Sequence, residues 1–251
     1  MLDGGRKVGM AADAVHGVGA FSQATGRVAG EEAGPDKPHY RRFQHGLIVE
    51  HCGRSVLEVG AGLGEFAEQL SGLDRLIVTD VDPEAVAVMR RRFAGRPEVQ
   101  VRQVDVEVGL ELDKPVDTVI TINTLEHIED DAEALRSLAR LVVPGGTIVV
   151  WVPGYQQLYG DFDRKVGHVR RYTPATLTAS FDAAGLAPAV VKPVNLLGGI
   201  AWWAAVRRGG SPAPNSRLVA VYDRVLIPAT QALERVVRVP FGQSILGVAR
   251  V

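Results

Sequence analysis

Four strand-like runs in this 251-residue chain each carry an acid or amide at or near the carboxyl end. Val56-Leu57-Glu58-Val59 leads into Gly60-Ala61-Gly62-Leu63-Gly64. Leu76-Ile77-Val78-Thr79 stops at Asp80, Val99 to Val104 stops at Asp105, and Val116 to Ile122 stops at Asn123. Short β-branched runs of this kind are buried strands, and a G-x-G-x-G spacing lets the backbone turn sharply beneath a ligand. A carboxylate at the tip of the second strand, about twenty residues past the first glycine, can accept both hydroxyls of a ribose. Glu65 to Leu70 has helix-forming composition, so the loop is expected to end at a helix N-terminus, where N–H groups and the dipole favour anions. A glycine turn also serves as a plain connection, so the acids are what raise it above that.

The second set of reactive groups is His168 with Arg170-Arg171-Tyr172, in a stretch from Tyr155 to Tyr172 that has the mixed charge and turn chemistry of a long loop. A histidine near its ordinary pKa can take a proton from an attacking hydroxyl, and arginines can hold a phosphate or carboxylate. Tyr172 is a candidate for stabilising a developing cation with its ring. The competing reading is that His168 and Tyr172 only fasten the loop to the sheet. His127, after Glu126, ranks behind His168 as a base, because a histidine there is more often a residue of a helix start.

These groups need a scaffold, and the intervening sequence supplies one. Pro38 opens a helix running through Leu47-Ile48-Val49, on which Tyr40 and Arg41 either close over a ligand or lie on a solvated face. Asp82-Pro83-Glu84 opens a helix with Asp82 as its cap, carried by Val86 to Phe93. Another helix runs from about Asp131 to Leu141, and Pro144-Gly145-Gly146 turns into the strand Thr147 to Val152. Thr173-Pro174 starts a helix that Gly185 stops, and Ala189 to Val194 returns to the sheet. Such alternation predicts a parallel sheet covered on both faces, with the ligand across the strands' carboxyl ends. Beyond it, Leu196 to Val206 is too short to span a bilayer. The adjacent Trp202 and Trp203 cannot both face one side of a helix, and Pro228 should kink or divide Arg217 to Val237.

Composition narrows the class. Net charge is −1 with 23% charged residues, which argues against nucleic acid as a partner. Cys52 is the single cysteine, which rules out an internal disulfide and fits a reducing cytoplasm. Residues 1–34 contain no apolar core of signal-peptide length and read as a flexible leader.

Taken in order, Val56 to Gly64, Asp80, Asp105, Asn123-Thr124-Leu125-Glu126-His127-Ile128 and Leu141-Val142-Val143-Pro144-Gly145-Gly146 resemble the class I S-adenosylmethionine-dependent methyltransferases, over roughly residues 40 to 190. The resemblance implies an α/β, Rossmann-like doubly wound fold: a mostly parallel seven-stranded sheet with a C-terminal antiparallel hairpin and extra helices. It implies S-adenosylmethionine as cofactor, bound by Tyr40, Glu58, Gly60, Ala61, Gly62, Gly64, Asp80, Val81, Asp105, Val106 and Asn123, with the glycine loop under its amino-acid end. Asp80 would hold the ribose hydroxyls, Asp105 would meet the adenine amine, and Asn123 would sit beside the methionine part and the methyl-transfer centre. Acceptors at the strand tips suit a ligand whose hydroxyls and exocyclic amine are donors. Because the methyl group arrives activated, positioning can carry catalysis and no metal is required. The expected division is leader 1–34, cofactor domain 35–195 and a helical appendage 196–251 that caps substrate, self-associates or touches a membrane. The expected partner is a small-molecule acceptor, lipophilic or anionic, in a cytoplasmic protein. The competing readings are a methyltransferase-fold subunit without catalysis and a nicotinamide-dependent oxidoreductase.

Overall fold

The computed structural model describes residues 37–106, 108–207 and 216–251; the leader 1–34 and residues 208–215 lie outside the described residues. Continuous aliphatic runs form β1 (Ser55–Val59), β2 (Arg75–Asp80), β3 (Val99–Gln103), β4 (Val116–Ile122) and β5 (Val142–Pro153), followed by β6 (Ala187–Val194) and β7 (Ser244–Arg250). They make one seven-stranded sheet in the order β3-β2-β1-β4-β5-β7-β6. The pairs from β3 to β5 are parallel, and β7 runs antiparallel to both β5 and β6. Parallel register sets Val59 beside Thr79 and Thr121, so the tips of β1, β2 and β4 share one edge.

Alternation along the central strands sends side chains to two cores. Leu57, Ile77, Val119, Ile148 and Val150 face one way, packing with Leu135 and Phe181. Val56, Val78, Ile120, Val149 and Trp151 face the other, packing with Met89 and Phe43. Each fully buried side chain of this size contributes about 1.5–3 kcal/mol of transfer free energy, so two filled faces fix the sheet between its helices.

The helices begin where capping chemistry dictates. In α1 (Pro38–Val49) proline occupies the first turn, and the missing local cap is supplied by Asp223, whose carboxylate accepts the N–H groups of His39 and Tyr40 at 3.2 and 2.9 Å. Asp82 caps α2 (Pro83–Arg92) through the Glu84 N–H, and Asp130 caps α3 (Asp131–Ala139) through the Glu133 N–H. Within 155–172 there is order where a loop was expected: a short helical turn at Gln156–Leu158 and α4 (Asp161–Val166). α5 (Pro174–Ala183) starts with the expected Thr173 cap. α6 (Leu196–Arg207), α7 (Ser216–Val221) and α8 (Ile227–Glu234) complete the chain before β7. Among the described residues no helix is long and apolar enough to cross a membrane.

Two expectations are corrected. Residues 196–251 are not a wholly helical appendage, since β7 lies inside the sheet between β5 and β6. No α-helix follows the glycine loop: Ala67–Gln69 is a single 3₁₀ turn, and Gly64 and Gly72, both at positive φ, bracket a segment too short for more. The stretch around Pro228 is divided as expected: α7 gives way to a wider π turn at Tyr222–Leu226, and α8 starts at Ile227 with Pro228 in its first turn.

Candidate active site

Gly60, Gly62 and Gly64 have φ of 69°, 56° and 78°, and the loop closes on itself through the Gly64 N–H to the Ala61 carbonyl at 2.9 Å. A Cβ at Gly60 would fall 2.3 Å from Thr124 Oγ1, so the loop lies directly against the tip of β4; at Gly62 the same position opens onto empty space. Asp80 ties the loop to β2. Its Oδ2 accepts the Gly62 N–H at 2.7 Å and its Oδ1 the Asp82 N–H at 2.9 Å. Burial raises the Asp80 carboxyl above the ordinary range, and these backbone bonds oppose that shift. Glu58, beneath the loop, is buried, and its Oε2 has no hydrogen-bond partner among the described residues. Burial, with the Asp80 charge nearby, pushes the Glu58 carboxyl up to about 8.

The neighbouring strand tips complete the crevice. Val104 N–H bonds the Asp80 carbonyl at 3.0 Å, which draws Asp105 alongside, and Val106 packs against the core; the Val81 carbonyl accepts from Gln103 at 3.2 Å. Asn123, at φ 51°, ends β4 in a left-handed turn whose N–H reaches the Trp151 carbonyl at 2.8 Å. Along α1, Arg41 lies 3.7 Å from Glu65 and His45 contacts the Phe66 ring, so the helix flanks the loop. Tyr40 does not reach over the loop as a closing lid does. Its ring sits edge-on to Trp151 and against Tyr222, each at 6.4 Å, and burial pushes its hydroxyl up to about 12.

Beyond Asn123 the chain builds a second cluster. His168 Nδ1 lies 2.7 Å from Asp163 Oδ1, and Asp163 is also held by Arg171 through Nε at 2.8 Å and Nη2 at 3.0 Å. Burial alone would raise the Asp163 carboxyl; the His168 and Arg171 hydrogen bonds overcome it and hold the group below the usual range. An ionised Asp163 is an acceptor only, so Nδ1 of a neutral His168 carries the proton and Nε2 presents its lone pair. Nε2 points towards Glu126 Oε1 at 3.6 Å, beyond direct hydrogen-bond range. Glu126 is fully buried, neither of its oxygens has a hydrogen-bond partner among the described residues, and burial pushes its carboxyl up to about 8. The His127 ring stands edge-on to His168 at 4.7 Å. One ligand atom each from Glu126, His127 and His168 lie within 4.8 Å of one another, the donor types of a divalent-cation site.

Two expectations fail here. Tyr172 is 1% exposed, and its hydroxyl donates to Asp131 Oδ2 at 2.8 Å, so its ring fills the core and offers no face to a ligand. Arg171 is likewise buried on Asp163, while Arg170, 31% exposed, is engaged by Asp131 at 3.2 Å and by the Glu129 carbonyl at 2.6 Å, so both guanidinium groups are already paired within the protein. Reading the sequence missed Asp163 and Glu126. The signal for Asp163 was its place five residues before His168, one turn of helix and a step.

Residues 57–148 match the family model described as a methyltransferase domain. This stretch carries a methyltransferase domain. A probable S-adenosylmethionine-dependent methyltransferase of Mycolicibacterium smegmatis is 30% identical over 149 residues, 58% of this chain and 55% of that protein. A ubiquinone biosynthesis O-methyltransferase of Paracidovorax citrulli is 38% identical over 101 residues, 38% of this chain and 42% of that protein. The chain spans about half the length of the curated relatives it matches. Among solved structures, the N-methyltransferase NodS of Bradyrhizobium japonicum, in complex with S-adenosylhomocysteine, aligns with a TM-score of 0.59 at 15% identity, covering 92% of this chain and 97% of that one. In this methyltransferase domain the residues present fit such a cofactor: the open space above Gly62 admits a close approach, and Glu58 holds a buried oxygen still wanting a donor.

Proposed function

We propose that this chain transfers a methyl group from S-adenosylmethionine to the hydroxyl of a lipophilic small molecule. When bound, S-adenosylmethionine supplies a methyl group already activated on a sulfonium. Asp80 and Asp105 would accept from the ribose hydroxyls and the adenine amine, Glu58 from the amino-acid end, and the loop at Gly60, Gly62 and Gly64 would lie beneath that end. Asn123, at the β4 tip, would stand beside the reacting methyl.

The observation that carries the hydroxyl reading is the 2.7 Å contact from His168 Nδ1 to an Asp163 that Arg171 keeps ionised. It leaves Nε2 as the group that accepts a proton from the attacking oxygen, and Asp163 then stabilises the imidazolium. His127, beside it, would limit how the ring can turn. A lipophilic acceptor is supported by an open cleft of about 430 Å³ lined by Tyr155, Gln157, Ile200, Trp203 and Phe241, and by the relative named for ubiquinone biosynthesis.

The test has two parts. Calorimetry should show binding of S-adenosylhomocysteine and none of NAD; the reverse overturns the methylation reading. A screen of lipophilic phenols and alcohols with isotopically labelled methyl donor, read by mass, identifies the acceptor. With an acceptor in hand, His168→Ala should lower turnover about 10²–10⁴-fold and leave S-adenosylhomocysteine affinity unchanged. Equal turnover in the variant would return His168 to a structural role.

A further inference from the structure

The helix from Ser216 to Glu234 buries Ile227 in the core but carries, on its outer face, apolar side chains where a helix covering a soluble protein is polar. Its inner face is anchored by polar contacts: Asp223 holds the start of α1, Tyr222 bonds Asn195 and Gln243, and Glu234 accepts the Leu196 N–H at 2.8 Å. The outer face should then be polar. Instead, exposed positions recur every three or four residues as Leu218, Val221, Val225, Pro228, Ala229 and Ala232, with Leu218 at 69%, Val221 at 53% and Val225 at 57% exposure. Val236 and Val237, 80% and 50% exposed, extend the stripe past the helix end.

Every charged side chain on that face is an arginine. Among the described residues from 196 to 240, each exposed residue is either apolar or Arg, as at Arg224, Arg235 and Arg238, and the two acids, Asp223 and Glu234, are the ones turned inward. The face adjoins the strands' carboxyl edge, because β7 begins at Ser244 opposite Pro153 and Val194, where β5 and β6 end.

We infer that this stripe docks the protein on an anionic lipid surface. Exposed aliphatic side chains with cations and no anions are what lets a helix lie in the headgroup plane, the apolar groups entering the acyl boundary and the guanidinium groups meeting lipid phosphates. Four exposed arginines, Arg217 and Arg224 on the helix and Arg235 and Arg238 just past its end, hold it parallel to the bilayer. A second copy of the chain fits the face less well, because a two-fold contact would set arginine against arginine. The inference is independent of the methyl-transfer reading, though a docked helix at this edge would open the acceptor side towards a lipid-dissolved substrate.

The experiment is co-sedimentation of the full chain with phosphatidylcholine vesicles, with and without phosphatidylglycerol. Binding to the anionic vesicles should exceed binding to the neutral ones by at least about tenfold and weaken as salt is added. Val221→Glu with Val225→Glu, exposed positions that leave S-adenosylhomocysteine affinity and circular dichroism as controls of folding, should abolish it. Arg224→Gln with Arg235→Gln should remove the preference for anionic lipid. Protein left in the supernatant with both vesicle types, or a Val221→Glu, Val225→Glu variant that binds like the parent, overturns the inference. So does light scattering that shows a dimer lost in that variant without any vesicle binding, which would make the stripe a self-association face.

Discussion

Removing the carboxylate of Asp163 should be among the most damaging single changes in the molecule. The group is wholly buried and accepts from Arg171 twice, from His168 and from the Gly160 N–H at 2.9 Å. In Asp163→Ala the Arg171 guanidinium, whose side chain is 4% exposed, becomes an uncompensated buried charge. Breaking one partner of such a pair costs about 3–5 kcal/mol, a large part of the roughly 5–15 kcal/mol that holds a domain folded. Urea unfolding followed by circular dichroism should therefore show the midpoint lowered by roughly 1–2 M. The companion variant Asp163→Leu with Arg171→Met replaces both charges by apolar groups and should recover most of the loss. Because the Asp163 carboxyl is held below its ordinary pKa, its contribution is complete above about pH 4 and fades only as pH falls through the depressed value. The penalty should thus be constant from pH 5 to 8 and shrink on the acid side. A single-variant loss under about 1 kcal/mol, the size expected of an exposed pair, would refute the reasoning.

Asp80→Ala should weaken S-adenosylhomocysteine binding by about 1–3 kcal/mol, through lost ribose hydrogen bonds and a loosened Gly62, and an unchanged calorimetric dissociation constant would mean the ribose lies elsewhere. Glu58 and Glu126, each pushed up to about 8, stay protonated in the folded state where the unfolded chain has already ionised; stability should fall as pH rises from about 4.5 towards 8, and Glu58→Gln should flatten that slope in thermal melts. Deleting residues 244–251 should abolish cooperative unfolding, since it removes a strand paired on both sides; a folded truncated protein would show that β6 and β5 can close without it.

The nucleotide side of the fold was legible because its signals are local. Continuous aliphatic runs, positive-φ glycines and an acid at a strand tip are written within a few adjacent residues, and Asp82 and Thr173 announce their helices the same way. What escaped depends on distant partners. Ser244 to Arg250 is a short run interrupted by Gly247, and it is a strand because β5 and β6 offer it two edges and because Leu177 and Phe181 fill the space a side chain at Gly247 would need. Tyr172 and Arg171 look like site residues in a charged loop, yet what buries them is their pairing with Asp131 and Asp163, 41 and 8 residues earlier in the chain, which the residues flanking them do not show. The segment after the glycine loop failed in the opposite direction: its helix-forming residues are bracketed by glycines that leave room for only one tight turn.

The place of β7 also dictates when the molecule can become itself. β6, complete at Val194, waits across about fifty residues for the strand that will join it to the rest of the sheet. Until Ser244 to Arg250 have left the ribosome, the edges of β5 and β6 stand bare, and a nascent chain in that condition is open to mispairing with its neighbours. Closure therefore waits on residues 244–250, and the speed with which this strand threads home sets how long the unfinished sheet is at risk.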